Sequence, residues 1–140
     1  MIQYSDLIGI PFEYGGRGPD RYDCYGLNME CNRRAGITVP DLRSPDNIQE
    51  ISELVGIVKT RWTPIWVKQG EGEEYWPKHA DLPVGSTLVL QVKGLACHVA
   101  YVVRPGHFIH TWEAIGGVVE ERISLWKARI LGVYKFDGTP

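Results

Sequence analysis

The spacing of apolar residues changes in the last third of the chain, and that change narrows the folds open to it. From Thr87 onward, apolar residues come in short stretches: Thr87–Val92, His98–Val103, Phe108–Glu113, Val118–Ile123 and Ile130–Phe136. Lys93-Gly94, Pro105-Gly106 and Gly116-Gly117 separate them. Short runs rich in Val, Ile and Tyr with glycine turns between them predict strands joined in an antiparallel meander. The first third reads at a helical period instead. Leu27, Cys31 and Ala35 recur at i, i+4 and i+8, Asp23 precedes them as an N-cap, and Gly36 and Pro40 follow, which predicts a helix over 23–35. A helix bearing a cysteine followed by a sheet bearing histidines is an α+β architecture, with N-terminal helices packed on an antiparallel sheet of about five strands.

The remaining segments punctuate this frame. Ile2 to Ile10 reads as a short helix, and Pro11 to Asp20, with three glycines and two prolines, as an irregular loop. Ser44-Pro45-Asp46 opens a second helix whose apolar face is Ile48, Ile51, Leu54 and Val55, with Pro45 in the first turn. Thr63 to Ala80 mixes tryptophan and tyrosine with proline and glycine and reads as an aromatic-rich loop. The expected organisation is one domain over 1–140 with a variable aromatic-rich insertion at about 41–83. A chain of 140 residues buries roughly two-thirds of its unfolded surface and needs no metal or disulfide staple.

Charge and cysteine count exclude several functions. A net charge of −2 gives no electrostatic case for nucleic acid or an anionic membrane surface. The longest apolar runs are strand-sized, too short for a membrane-spanning helix. Met1 to Asp6 has no basic segment leading into an apolar one, so the chain is expected to be made in the cytoplasm and kept reduced unless it leaves by another route, such as assembly into a virion. Three cysteines without a C-x-x-C pair argue against a disulfide framework or a four-cysteine zinc site. No metal and no cofactor is expected.

Three residues stand out chemically. Cys24 sits at the start of the helix, where exposed N–H groups and the helix dipole stabilise a thiolate and can hold an oxyanion. A lone cysteine is more commonly a buried apolar residue, so its position alone leaves that reading ahead. His98 opens a strand, sharing a face with Ala100 and Val102. It is either a satisfied core histidine or a general base for Cys24. His110 would orient His98 if hairpin register allows. A two-residue turn at Pro105-Gly106 pairs Tyr101 with His110 and puts the histidines on opposite faces. A three-residue loop, Arg104-Pro105-Gly106, pairs Ala100 with His110 and makes the histidines diagonal neighbours about 7–8 Å apart at Cα. His79 and His107 read as surface residues, Cys31 as core, and Cys97 points away from His98 by alternation.

In this order the motifs resemble a known family. Tyr14-Gly15-Gly16, Tyr22-Asp23-Cys24-Tyr25-Gly26-Leu27, Ala35 to Pro40, Leu82 to Val89, His98-Val99-Ala100-Tyr101-Val102 with Phe108-Ile109-His110, and Ile130 to Lys135 together resemble the NlpC/P60 (papain-like) cysteine peptidases. The resemblance implies a papain-like fold and a triad of Cys24 as nucleophile, His98 as base and His110 as orienting residue. Tyr14, Asp23 and Tyr25, beside the cysteine, would contact substrate. The implied substrate is a peptidoglycan stem peptide or another peptide. Tyr25 and Ser86 stand where the family usually has Ser and Asp. Tyr25 resembles the variant of phage-tail members, and short, single-domain members without an export signal resemble phage or prophage tail proteins, which implies that setting and tail proteins as partners. The alternative is a non-catalytic tail-assembly or adaptor protein that keeps the fold for binding, motivated by the tryptophans from Trp62 to Trp76.

Overall fold

The carboxylate of Asp23 opens the helix that carries the cysteine. Its Oδ1 accepts from the Gly26 N–H at 2.7 Å, the capping bond that satisfies one of the first free amides, and α1 runs Cys24–Arg34 with Gly36 just beyond it. The computed structural model describes residues 1–41, 62–67, 82–92 and 95–136. The second helix expected from Ser44-Pro45-Asp46 lies outside them. At the N-terminus, the helix expected over Ile2 to Ile10 is a single 3-10 turn, Ser5–Leu7. Leu7 alone in that turn is buried, and Ile2, Tyr4 and Ile10 on either side of it pack against the same cluster.

Among the described residues six strands form one sheet: β1 Trp62–Val67, β2 Thr87–Val92, β3 Leu95–Arg104, β4 His107–His110, β5 Val119–Arg122 and β6 Ile130–Phe136, in the order β1-β6-β2-β3-β4-β5. The expected meander is the run β2 to β5, all antiparallel. The last strand departs from it, crossing back to pair with both β2 and β1. β1 itself corrects the loop reading of Thr63 to Ala80 over its first residues. Trp62-Thr63-Pro64-Ile65-Trp66-Val67 has the β-branched and aromatic content of a strand. Its proline sits beside a pairing irregularity on the edge of the sheet, where a missing N–H is tolerated.

The β3–β4 hairpin adopts the register that puts both histidines on one face. Tyr101 pairs with Ile109 and Val102 with Phe108, while Arg104 pairs with His107. The register expected from a three-residue loop is therefore reached by a two-residue turn on Pro105-Gly106 plus an extra residue at Val103. Gly106 takes φ +77°, a conformation costly for a residue with a Cβ.

Alternation along the strands gives the sheet two packed faces. On one, Leu27 and Cys31 of α1 meet Tyr101, Val103 and Ile109, while Cys24 and Tyr25 meet Val89, Val99 and Tyr134. On the other, Leu88, Leu90, Ala100, Val102 and Phe108 meet Ile123, Trp126 and Ile130. The helix is tied to the sheet by a buried polar bond from Asn28 Nδ2 to Thr87 Oγ1, 3.1 Å. Arg34 grips Asp6 through two contacts of 2.7 and 2.8 Å, anchoring the N-terminal segment on the end of α1.

Candidate active site

Cys24 is the first residue of α1. The preceding loop folds over the helix start so closely that Gly26 has no room for a side chain: a Cβ there would lie 2.1 Å from the Gly16 carbonyl oxygen. Asp23 is buried, and its carboxylate accepts from Gly26 N, from Gly15 N at 3.1 Å and from Arg17 Nη1 at 2.7 Å. The carboxylate of Asp23, the residue expected to contact substrate, holds the loop to the helix. Tyr25 is likewise buried and donates its hydroxyl to the Pro40 carbonyl at 2.7 Å. Tyr14 differs: its hydroxyl donates to Glu113 Oε2 at 2.6 Å in an exposed pair, and its ring flanks the Cys24 cluster.

The two histidines form a buried pair. His98 Nε2 lies 2.7 Å from His110 Nδ1, and His110 Nε2 hydrogen-bonds Glu121 Oε2. The same carboxylate oxygen accepts from Trp126 Nε1 at 3.2 Å. Trp112 lies 5.3 Å from the His98 ring centre, and its indole N–H is buried without an acceptor among the described residues. Burial pushes the His98 pKa well below the ordinary 6.5, and the neighbouring His110 adds to the fall. Burial also lowers His110, against the opposing pull of Glu121. Both imidazoles are therefore neutral near pH 7, and each carries one N–H. Of the four ring nitrogens in the pair, three are in hydrogen bonds. The fourth, His98 Nδ1, has none among the described residues.

Val99 belongs to the same apolar cluster as Cys24. His98, the residue before it, alternates to the face of Leu90, Phe108 and Trp126. The structure pairs His98 with His110, and Cys24 stands at the first position of α1. His98 lies near the start of β3, where the pairing of β2 with β3 is interrupted between Leu90 and Gln91.

Sequence reasoning passed over Glu121, Trp112 and Trp126. A signal was present: in Val119-Glu120-Glu121-Arg122, alternation sends one carboxylate to each face of a strand next to the His110 strand. Glu120 goes out to Arg104, with contacts of 2.9 and 2.6 Å, and Glu121 goes in. Cys31 is wholly buried, as expected, and His107 is partly exposed at the hairpin turn, within 3.1 Å of the Pro105 carbonyl. His79 and the Cys97 side chain lie outside the described residues. Among those residues, no group of three or more His, Cys, Asp or Glu side chains is arranged to hold a metal ion.

The sequence pattern of the NlpC/P60 family matches residues 9–135. No curated protein sequence matches the chain. Among solved structures, NlpC1 from Trichomonas vaginalis superposes with TM-score 0.65 at 19% identity, over 93% of this chain and 40% of the other. NlpC2 from the same organism gives 0.65 at 16%, over 93% and 43%. The chain therefore spans about two-fifths of the length of these two proteins. The NlpC/p60 domain of peptidoglycan hydrolase SagA gives 0.53 at 20%, over 92% and 88%.

Proposed function

The chain belongs to the NlpC/P60 family, and from that premise we propose that it is a cysteine-dependent hydrolase of peptide bonds, acting on the stem peptides of peptidoglycan in the setting of a phage or prophage tail. The observation that carries the reading is the single nitrogen of the histidine pair without a partner among the described residues, His98 Nδ1, at the end of a buried relay that begins at a carboxylate. A core histidine kept only for packing would be paired at both nitrogens. A base needs one lone pair left open.

In this reading Cys24 is the nucleophile. His98 Nδ1 takes its proton, and the thiolate attacks the peptide carbonyl. Amides in the first turn of α1 steady the oxyanion. The imidazolium then protonates the leaving amine, and the neutral imidazole activates water to release the acyl group. Val99, in the same apolar cluster as Cys24, is the residue next to His98, which supports bringing the two groups together. The peptidoglycan assignment draws on the named activity of SagA, and the tail setting on Tyr25 after the cysteine. Purified peptidoglycan incubated with the protein is expected to yield new stem-peptide termini by mass analysis. Cys24→Ala and His98→Ala should each lower that yield by about 10³-fold or more. Wild-type yield from Cys24→Ala would overturn the reading.

A second reading has its own support in the tryptophans Trp62 and Trp66 of the edge strand β1. It makes the chain a binding module that retains the fold. It expects wild-type protein to sediment with peptidoglycan or tail proteins without cutting anything, and Cys24→Ala to bind as well as wild type.

A further inference from the structure

We propose that Glu121 is a positioning residue: acting through His110, it dictates which nitrogen of His98 is left as the proton acceptor. The inference rests on the hydrolase reading only in calling His98 the base, and the order of protons along the relay follows from the hydrogen bonds themselves. Glu121 Oε2 accepts the indole N–H of Trp126 and also meets His110 Nε2. An oxygen that already accepts from an obligate donor is acting as an acceptor, so the proton between Glu121 and His110 resides on Nε2. A neutral imidazole has one N–H, so His110 Nδ1 is a lone pair. It must then accept from His98 Nε2–H across 2.7 Å. That leaves His98 Nδ1 deprotonated, the form a base requires.

Without the carboxylate the order can reverse. His110 Nδ1 would carry the proton and donate to His98 Nε2, and His98 would hold its hydrogen on Nδ1. The proton count of the pair is the same in both arrangements, and only one of them leaves Nδ1 able to accept a proton. The neighbours facing the pair, Phe108, Trp112 and Trp126, carry no charge. Among the described residues Glu121 is the one ionisable group outside the pair that acts on either ring. The backbone register explains how it gets there. Glu121 pairs with Phe108 and Val119 with His110, so Glu121 reaches His110 along the diagonal of the β4–β5 ladder.

The test is the tautomer itself. The full chain, labelled with 15N and recorded at about pH 7.5, above the ordinary histidine range, is expected to show His98 protonated at Nε2 and bare at Nδ1. In Glu121→Gln, whose amide can donate as well as accept, the Nδ1 signal should move toward that of a protonated nitrogen. Trp126→Phe keeps the carboxylate and most of the packing, and it should retain the wild-type pattern. Wild-type His98 protonated at Nδ1, an unchanged pattern in Glu121→Gln, or equal scrambling in both variants would each overturn the proposal. A protein that shows the expected pattern yet cuts no peptide would instead count against the hydrolase reading and leave the positioning role intact.

Discussion

His98 Nε2 and His110 Nδ1 approach within 2.7 Å on the sheet face that α1 does not cover. A pair of imidazoles buried this way ties stability to pH. Burial lowers the pKa of both below the ordinary 6.5, so in mildly acidic solution the unfolded chain binds protons that the folded chain resists. Stability is then complete above about pH 6.5 and falls as the pH drops through that value toward the folded pKa values. The paired carboxylates Asp6, Glu30 and Glu120 are held below their ordinary values of 3.8, 4.5 and 4.5, so their loss comes later. Urea unfolding at about pH 7.5 and about pH 5.5 should show wild type weaker at the lower pH. His98→Asn combined with His110→Asn should flatten the difference, and an equal pH slope in the double variant would contradict this account.

The two described cysteines should separate cleanly by function. Cys31 is wholly buried among Leu27, Tyr101 and Val103, and burial drives its thiol far above the ordinary 9.0. Cys31→Ala is expected to cost about 1–2 kcal/mol, the worth of a small buried apolar group, and to leave peptide hydrolysis within about twofold, since additive effects at separated sites stay small. Iodoacetamide mapping of the folded protein should find Cys31 unmodified until urea unfolds the chain. Hydrolysis lost in Cys31→Ala with stability unchanged would contradict the assignment of this thiol to the core.

The placement of these groups is legible in the sequence to different depths, for physical reasons. The helix is readable to within one residue at each end because Asp23 and Gly36 bracket it with specific backbone chemistry. Five of the strands, β2 to β6, are readable from turns and alternation, and the hairpin register that joins His98 to His110 is one of two that the Pro105-Gly106 turn allows. Local chemistry carries no record of long-range pairing, so the return of β6 between β1 and β2 is not readable. Nor is the side of the sheet that α1 covers. Alternation says that His98 and Val99 face opposite ways, but only the packed structure says that Val99 is the one in the cluster of Cys24. Glu121 is hidden because its value depends on the β4–β5 pairing.

The crowding at Gly26 predicts a large effect from the smallest substitution. Gly26→Ala puts a methyl group 2.1 Å from the Gly16 carbonyl oxygen, a backbone atom that cannot swing aside as a side chain would. The loop must lift off the helix, loosening the contacts of Asp23 with Gly15 and Arg17. The higher helix propensity of alanine returns about 1 kcal/mol, against about 1–3 kcal/mol for overpacking and more for the disrupted carboxylate. The net expectation is destabilisation of about 2 kcal/mol, read as a lowered urea midpoint, and a midpoint equal to or above wild type would show that the loop is not pressed against the helix.

Asp23 offers a sharper test because its two roles can be separated. The carboxylate caps α1 through Gly26 N and pairs with Arg17 at 2.7 Å with its own side chain 1% exposed. Asp23→Asn keeps an oxygen for the cap and gives up the ion pair, while Asp23→Ala gives up both. Loss of the cap alone is worth about 1 kcal/mol. Arg17 also holds Asp41 at 2.8 Å, so its guanidinium keeps a partner in either variant and the penalty of a stranded charge is avoided. Asp23→Asn should therefore cost about 1–2 kcal/mol, as the loss of a charge-assisted bond does, and Asp23→Ala about 1 kcal/mol more. Because the same loop frames the start of α1, both variants should also slow hydrolysis in proportion to their loss of stability. If Asp23→Asn keeps wild-type stability and loses hydrolysis, the carboxylate touches substrate after all, and its structural role is wrong.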